Sequence, residues 1–292
     1  MYKQIAENKR KTVYIISGFV VIIGLIAGLF AWLYDNAWIA FWMIVAALVY
    51  AVIQYFAASS LAMAMTGAKQ IVKKDNPRFY NIVENLSITT GLPMPKVYII
   101  EDKAPNAFAT GRDPKHASVA ATTGLLDIMN DKEVTAVMAH EMSHVKNYDI
   151  RVSMIVFGLV CMIGLISDLA FRMMFFGDRR RDNEGSPLGY ALIMIVAILA
   201  PIFAGLAQMA VSRQREYLAD ASAVNITRYP EGMIAALKKL QTHTQPMKHQ
   251  NIAAEALYIN NPLRKGFFGN LFSSHPPIEK RIERLEHGKK NF

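Results

Sequence analysis

His140-Glu141-Met142-Ser143-His144 is the stretch on which the reading of this chain turns. In a helix of 3.6 residues per turn, positions four apart lie on one face, so both imidazoles can reach a single ion. Zinc takes two such nitrogens at about 2.0–2.1 Å together with a carboxylate oxygen, and leaves a place for water. Glu141, beside the first histidine, is turned toward that water. It can take a proton as a peptide carbonyl is attacked and hand it to the leaving amine. The pattern is specific: seven histidines in 292 residues give roughly 0.007 chance occurrences per chain. The bland alternative is an amphipathic helix with surface histidines. Val134, Val137 and Met138 weigh against it, because they give the same helix an apolar face to dock on a core.

Two histidines and a water leave the site one protein ligand short. Downstream, Ser212-Arg-Gln-Arg-Glu216-Tyr-Leu-Ala-Asp220 places two carboxylates one helical turn apart. Glu216 can bind the metal, while Asp220 can orient a histidine through its other ring nitrogen. Glu216 as a solvated charge beside Arg213 and Arg215 is the competing reading, and His243, His249 or Asp220 stand as other candidate ligands.

Around the motif the polar chain reads as a small α/β piece. Asn76-Pro77 starts a helix that carries Phe79, Ile82, Val83 and Leu86 and ends near Gly91. Lys96–Ile100 reads as a strand, Asn106–Gly111 as a turn-rich loop and His116–Thr122 as a second strand. Leu125–Asn130 reads as a short helical turn, and Asp131 is expected to cap the motif helix, which runs to about Asn147. Residues 213–292 read as mostly helical, with a break at Gly266–Gly269 and a stop at Pro276-Pro277.

Farther out, composition changes abruptly. Apolar residues make up 53% of the chain and charged residues 19%. Four windows carry no charge: Thr12–Tyr34, Asn36–Ala68, Val152–Ser167 and Gly185–Ser212. All the charges fall in the remaining stretches, which excludes both a wholly soluble globule and intrinsic disorder. Spanning hydrocarbon takes about 20 apolar residues. The first two windows meet that length and form a hairpin across an Asp35-Asn36 turn. The first is too long for a signal-peptide apolar region and is expected to remain as an anchor. The third is short and is followed by Asp168 and Arg172 at pairing distance; the fourth contains Pro201. Whether that pair crosses or re-enters, the crossing number is even, so the segments on both sides share one compartment.

The net charge of +9 is concentrated in residues 1–11 and 213–292. Placed beside the membrane windows, it points to anionic lipid headgroups and not to nucleic acid. Lys3, Lys9, Arg10 and Lys11 favour a cytoplasmic N-terminus. The single cysteine, Cys161, excludes an intrachain disulfide.

The apolar hairpin, the His140–His144 motif followed by Val145–Asp149, and the Ser212–Asp220 stretch together resemble the HtpX family over nearly the whole chain. These are bacterial membrane-bound, heat-shock-associated zinc endopeptidases related to the eukaryotic prenyl-protein proteases. The resemblance implies a fold that is mainly α with a small β-sheet: a membrane-anchored zincin-like domain with four hydrophobic helices. Residues 1–68 would be a transmembrane hairpin, 69–151 the first half of the protease domain, 152–212 the second hydrophobic pair and 213–292 the second half. It implies one zinc ion per chain held by His140, His144 and Glu216, with Asp220, Asn147 and Asp149 behind the ligands. Asn106, Ala107, Phe108, Ala109 and Thr110 look like the family's segment beside the active-site edge strand, where an extended peptide could add as a strand. Ser274-His275-Pro276-Pro277 with Arg281 looks like the family's late motif. There His275 could stabilise the oxyanion, and Arg281 could hold that histidine or pair with an acidic group.

The implied activity is hydrolysis of misfolded membrane proteins and cytosolic loops during heat or envelope stress. The implied place is the bacterial cytoplasmic membrane, multi-pass, with the catalytic domain facing the cytoplasm. Membrane lipid, protein substrates and other membrane quality-control proteases are the expected partners. Three alternatives stand beside this: a prenyl-protein-type protease, an intramembrane protease and a catalytically silent scaffold. Asp131, Lys132, Glu133, Lys146 and Asp149 flank the motif and place it in water or at the interface, against the intramembrane reading. Stoichiometric, chelator-removable zinc would set an enzyme apart from a scaffold.

Overall fold

The structure, a computed structural model, describes residues 2–33, 35–176, 194–195, 213–243, 245–248, 258–259 and 276–288. Helix α1 (Tyr2–Leu33) and helix α2 (Ala37–Met65) form the hairpin. Its turn is sharp because Asp35 adopts φ +46° and the Asn36 side chain accepts the Trp38 N–H, capping α2. α2 runs unbroken to Met65, so Ala57–Met65 continues the helix. Among the described residues Ala40–Met65 is long and apolar enough to cross a membrane, with a mean hydropathy of 1.9 and none of that window buried inside the protein. Tyr14, Val21, Leu25, Trp42, Val52 and Phe56 point outward, an apolar surface that would not persist in water. The inward stripe of α1 is Ile15, Phe19, Ile23 and Ala27, one helical turn apart. It packs with Val152, Val156 and Leu159 of helix α6 (Asp149–Phe176), which contains the third uncharged window.

Helix α3 (Pro77–Thr90) has its cap at Asn76 and ends on Gly91, whose φ of +69° suits a residue without Cβ. Four strands follow the order β1-β2-β4-β3: β1 (Lys69–Gln70), β2 (Lys96–Ile100), β3 (Ala107–Gly111) and β4 (Ala117–Thr122). β2 and β4 are parallel; the other two pairings are antiparallel.

Three local expectations are corrected. Asn106–Gly111 is not a loop: five of its six residues form β3, and all five are buried. A strand covered on both faces shows no apolar–polar alternation, and small residues such as Ala, Thr and Gly suit that confinement while resembling turn formers. The motif helix, α5 (Asp131–Lys146), is capped by Asn130 and not Asp131. Asn130 accepts the Glu133 N–H at 3.0 Å, and Glu133 accepts the Asn130 N–H at 2.8 Å. This reciprocal box satisfies two backbone donors at once. The second strand starts one residue later than expected, because Pro114–His116 makes a tight turn capped by Asp113.

Helix α4 (Thr123–Ile128) leads into α5. Among the described residues three further helices follow: α7 (Arg213–Thr227), α8 (Pro230–Thr242) and α9 (Ile278–Gly288). Pro276-Pro277 stands immediately before α9, so it marks a helix start. α5 is the hub: β3, α3, α7 and α8 all pack on it. A single core joins Phe79, Val83, Val137 and Met138 to Ala223, Met233 and Leu237. Chain on both sides of the second hydrophobic pair therefore contributes to one globule. The Arg179–Arg181 linker, the Gly266–Gly269 break and all of the fourth window except Met194 and Ile195 lie outside the described residues.

Candidate metal centre

His140 sits near the centre of α5, wholly buried, because that turn of the helix is covered by α7 and by the Arg281 side chain from α9. α7 lies along α5 and brings Glu216 against both histidines. The Nε2 atoms of His140 and His144 are 3.2 Å apart. Glu216 Oε2 is 3.5 Å from Nε2 of His140, and its Oε1 is 3.5 Å from Nε2 of His144. Zinc ligands at about 2.0–2.1 Å in tetrahedral directions lie about 3.3 Å from one another. The two Nε2 atoms and the Glu216 carboxylate stand close to those separations, so the three residues could hold a zinc ion between them.

The other ring nitrogens complete the fit. Nδ1 of His140 is 2.9 Å from Asp220 Oδ1, and Nδ1 of His144 is 3.0 Å from Asp149 Oδ2. Each carboxylate takes an Nδ1–H, which leaves the Nε2 lone pair directed at the metal position. Burial disfavours a charged His140, but the Asp220 and Glu216 carboxylates outweigh it and push its pKa up to about 9. Burial likewise opposes the charged form of His144, while Glu216 and Asp149 raise its pKa. The same surplus of negative charge favours a divalent cation at this point.

Asp220 does not bear its charge alone. Arg281, reaching down from α9 and buried throughout, donates to both carboxylate oxygens, Nε to Oδ2 at 2.9 Å and Nη2 to Oδ1 at 2.6 Å. Burial would raise the Asp220 carboxyl, but this guanidinium and His140 hold it down at about 2. Arg281 thus acts on the centre through Asp220, with Nη2 3.4 Å from Nδ1 of His140. Asp149 is handled similarly. Burial pushes its carboxyl up; His144, Arg215 and Asn8 keep it below the ordinary range. Glu141 is buried in the same turn of α5.

The other residues singled out from sequence fall as follows. Asn147 is the C-terminal cap of α5 and is buried. His243 lies exposed beyond the end of α8, bonded to the Lys239 carbonyl, away from the cluster. His249 and His275 lie outside the described residues. Asn106 is buried, with its N–H on Thr122 Oγ1. Ala107 and Ala109 face the α5 core, and Phe108 packs edge-on against Tyr258. These three side chains are therefore turned into the protein. Thr122 N–H donates to the Asn106 carbonyl, while the Ala107 carbonyl accepts from Ile259. In an antiparallel ladder alternate residues face the partner strand, so Ala109 and Gly111 face the outer edge.

Sequence reasoning missed Asn8 and Arg215. Both reach Asp149 Oδ1, at 2.7 and 3.2 Å. Asn8 lies 141 residues away in sequence, in a different helix. A signal existed: through Thr12, Asn8 continues the stripe of Ile15 and Phe19 at helical spacing beyond the start of the apolar window.

The sequence profile of Peptidase family M48 matches residues 73–289. The "Protease HtpX homolog" of Tropheryma whipplei (strain TW08/27) is 52% identical over 295 residues, covering the whole of both chains. That of Streptococcus equi subsp. equi (strain 4047) is 48% identical, covering 98% of this chain and 99% of the relative. Among solved structures, the crystal structure of S. mikatae Ste24p superposes with a TM-score of 0.52 at 19% identity, over 98% of this chain and 67% of that one. That last likeness speaks to the fold.

Proposed function

The chain belongs to peptidase family M48 as a full-length relative of the HtpX proteases, and from that premise we propose that His140, His144 and Glu216 hold one zinc ion per chain and that Glu141 is the general base of peptide hydrolysis. The observation that carries the assignment is the meeting of the two Nε2 atoms, 3.2 Å apart, with the Glu216 carboxylate, each nitrogen 3.5 Å from one of its oxygens, with both Nδ1 atoms already committed to carboxylates.

When bound, zinc supplies Lewis-acid activation of water and of the scissile carbonyl. The chain's own residues do the rest. Asp220 and Asp149 hold the two imidazoles in the tautomer that keeps Nε2 free. Arg281 neutralises Asp220, so that a buried carboxylate can stay charged beside His140. Glu141 accepts the proton of the attacking water and returns it to the leaving amine. Substrate enters as an extended segment along the outer edge of β3, pairing with the backbone of Ala109 and Gly111.

The protein is a membrane metalloprotease of the HtpX kind. Its substrates, in this reading, are misfolded membrane proteins and exposed cytosolic loops, cut at the inner face of the bacterial cytoplasmic membrane. The basic start of α1 and the even number of crossings support that orientation. Residues 69–151 and 213–292 act as two halves of one protease domain, separated in sequence by the second hydrophobic pair. The test is Glu141→Ala in purified full-length protein. It should abolish cleavage while zinc content and membrane insertion stay as in wild type; retained cleavage would sink the mechanism.

A further inference from the structure

The polypeptide turns between α5 and α6 in two residues, Asn147-Tyr148, with Asp149 opening α6. Tyr148 takes φ +61°, a left-handed conformation that a residue with a bulky side chain adopts only when its surroundings impose it. What imposes it comes from α1. The Asn8 amide donates one hydrogen to the Asn147 carbonyl at 2.9 Å and the other to Asp149 Oδ1 at 2.7 Å, so it bridges the turn on both sides of Tyr148. Lys9 and Arg151 each lie over the Tyr148 ring, at 5.0 and 4.9 Å from its centre. Asn8 is 3% exposed, on the helical turn before the apolar part of α1 begins.

This turn sets the direction of Asp149, and Asp149 Oδ2 is the partner of His144 Nδ1. A chain of contacts therefore runs from α1 through Asn8 and Asp149 to His144. Arg215 also touches Asp149 Oδ1, but at 3.2 Å and without reaching the Asn147 carbonyl. Asn8 alone ties the turn and the carboxylate together among the described residues.

We propose that Asn8 is a positioning residue of the metal centre, through which the seating of the first membrane helix on the protease domain sets how tightly His144 holds zinc. This rests on the zinc reading of His140, His144 and Glu216. It makes α1 more than an anchor: a chain whose first helix is displaced keeps every ligand but loses the orientation of one. Outer partners of metal-bound histidines commonly alter metal affinity by about 10–100-fold when removed, and the same scale is expected here.

The experiment is zinc competition against a chromophoric chelator, using full-length protein in detergent micelles. Wild type is compared with Asn8→Leu, which keeps the branching at Cγ and removes both donors, with Asn8→Asp, which sets a carboxylate against Asp149, and with Val13→Ala on the outward face of α1. Both Asn8 variants should bind zinc about tenfold or more weakly than wild type, while Val13→Ala matches wild type. The unfolding midpoint of the zinc-free forms separates this from a general loss of structure: Asn8→Leu, which adds no charge beside Asp149, should stay closer to wild type than Asn8→Asp while still losing zinc affinity. Zinc affinities equal to wild type in both Asn8 variants overturn the inference and leave the zinc site standing. Wild type that binds no stoichiometric zinc overturns the site itself, and the inference with it.

Discussion

Arg281 grips Asp220 by both carboxylate oxygens, at 2.9 and 2.6 Å, in a place where each side chain is at most 2% exposed. Breaking one side of such a pair leaves a buried charge uncompensated, at a cost of about 3–5 kcal/mol. Arg281→Ala should therefore lower the unfolding midpoint and zinc affinity together. The double variant Asp220→Asn, Arg281→Met should lose less stability than the two single losses summed, because no lone charge remains. Additive losses in thermal unfolding would show that the pair is not coupled.

Asp149→Asn removes the anionic partner of His144 while keeping its shape. Zinc affinity and peptide cleavage should both fall about 10–100-fold. Chelator competition and turnover on a reporter peptide check this, and a change in turnover alone would place Asp149 in a different role.

Zinc removal should abolish cleavage and destabilise the fold, since the ligands come from α5 and α7. A ligand present at 100 times its dissociation constant stabilises the native state by about 2.7 kcal/mol. Scanning calorimetry with and without chelator should show a lower midpoint in the stripped protein, restored by added zinc.

Ala109→Pro deletes an outward N–H on β3 that an added strand needs. KM should rise for an extended peptide while zinc affinity is unchanged. Unaltered KM would move the substrate path off this edge.

A cysteine introduced as Asp35→Cys, in a Cys161→Ser background, should react with impermeant maleimide from outside the cell. One introduced as Lys73→Cys should react only after lysis. The reverse pattern would invert the orientation argued from Lys9, Arg10 and Lys11.

The spacing within His140–His144, the capped start of α3 at Asn76-Pro77 and the uncharged windows are local properties, so they can be read along the chain. A helix repeats every 3.6 residues wherever it lies, and hydrocarbon demands about 20 apolar residues in any fold. Strand β3 could not be read this way. Its burial on both faces erases the alternation that marks a strand, and only the neighbours β4 and α5 reveal it.

The site divides along the same line. The sequence by itself determined which residue types could bind zinc and that the histidines still need a third ligand from elsewhere in the chain. It left Glu216, Asp220, His243 and His249 as rivals on residue grounds. Tertiary structure decided among their positions, by laying α7 along α5 and leaving His243 exposed beyond α8. It also assigned each carboxylate its histidine and drew Asn8 from the first helix to Asp149. Contacts between residues 61 to 141 positions apart depend on how helices pack, and helix packing is a property of the assembled core that no window of sequence contains.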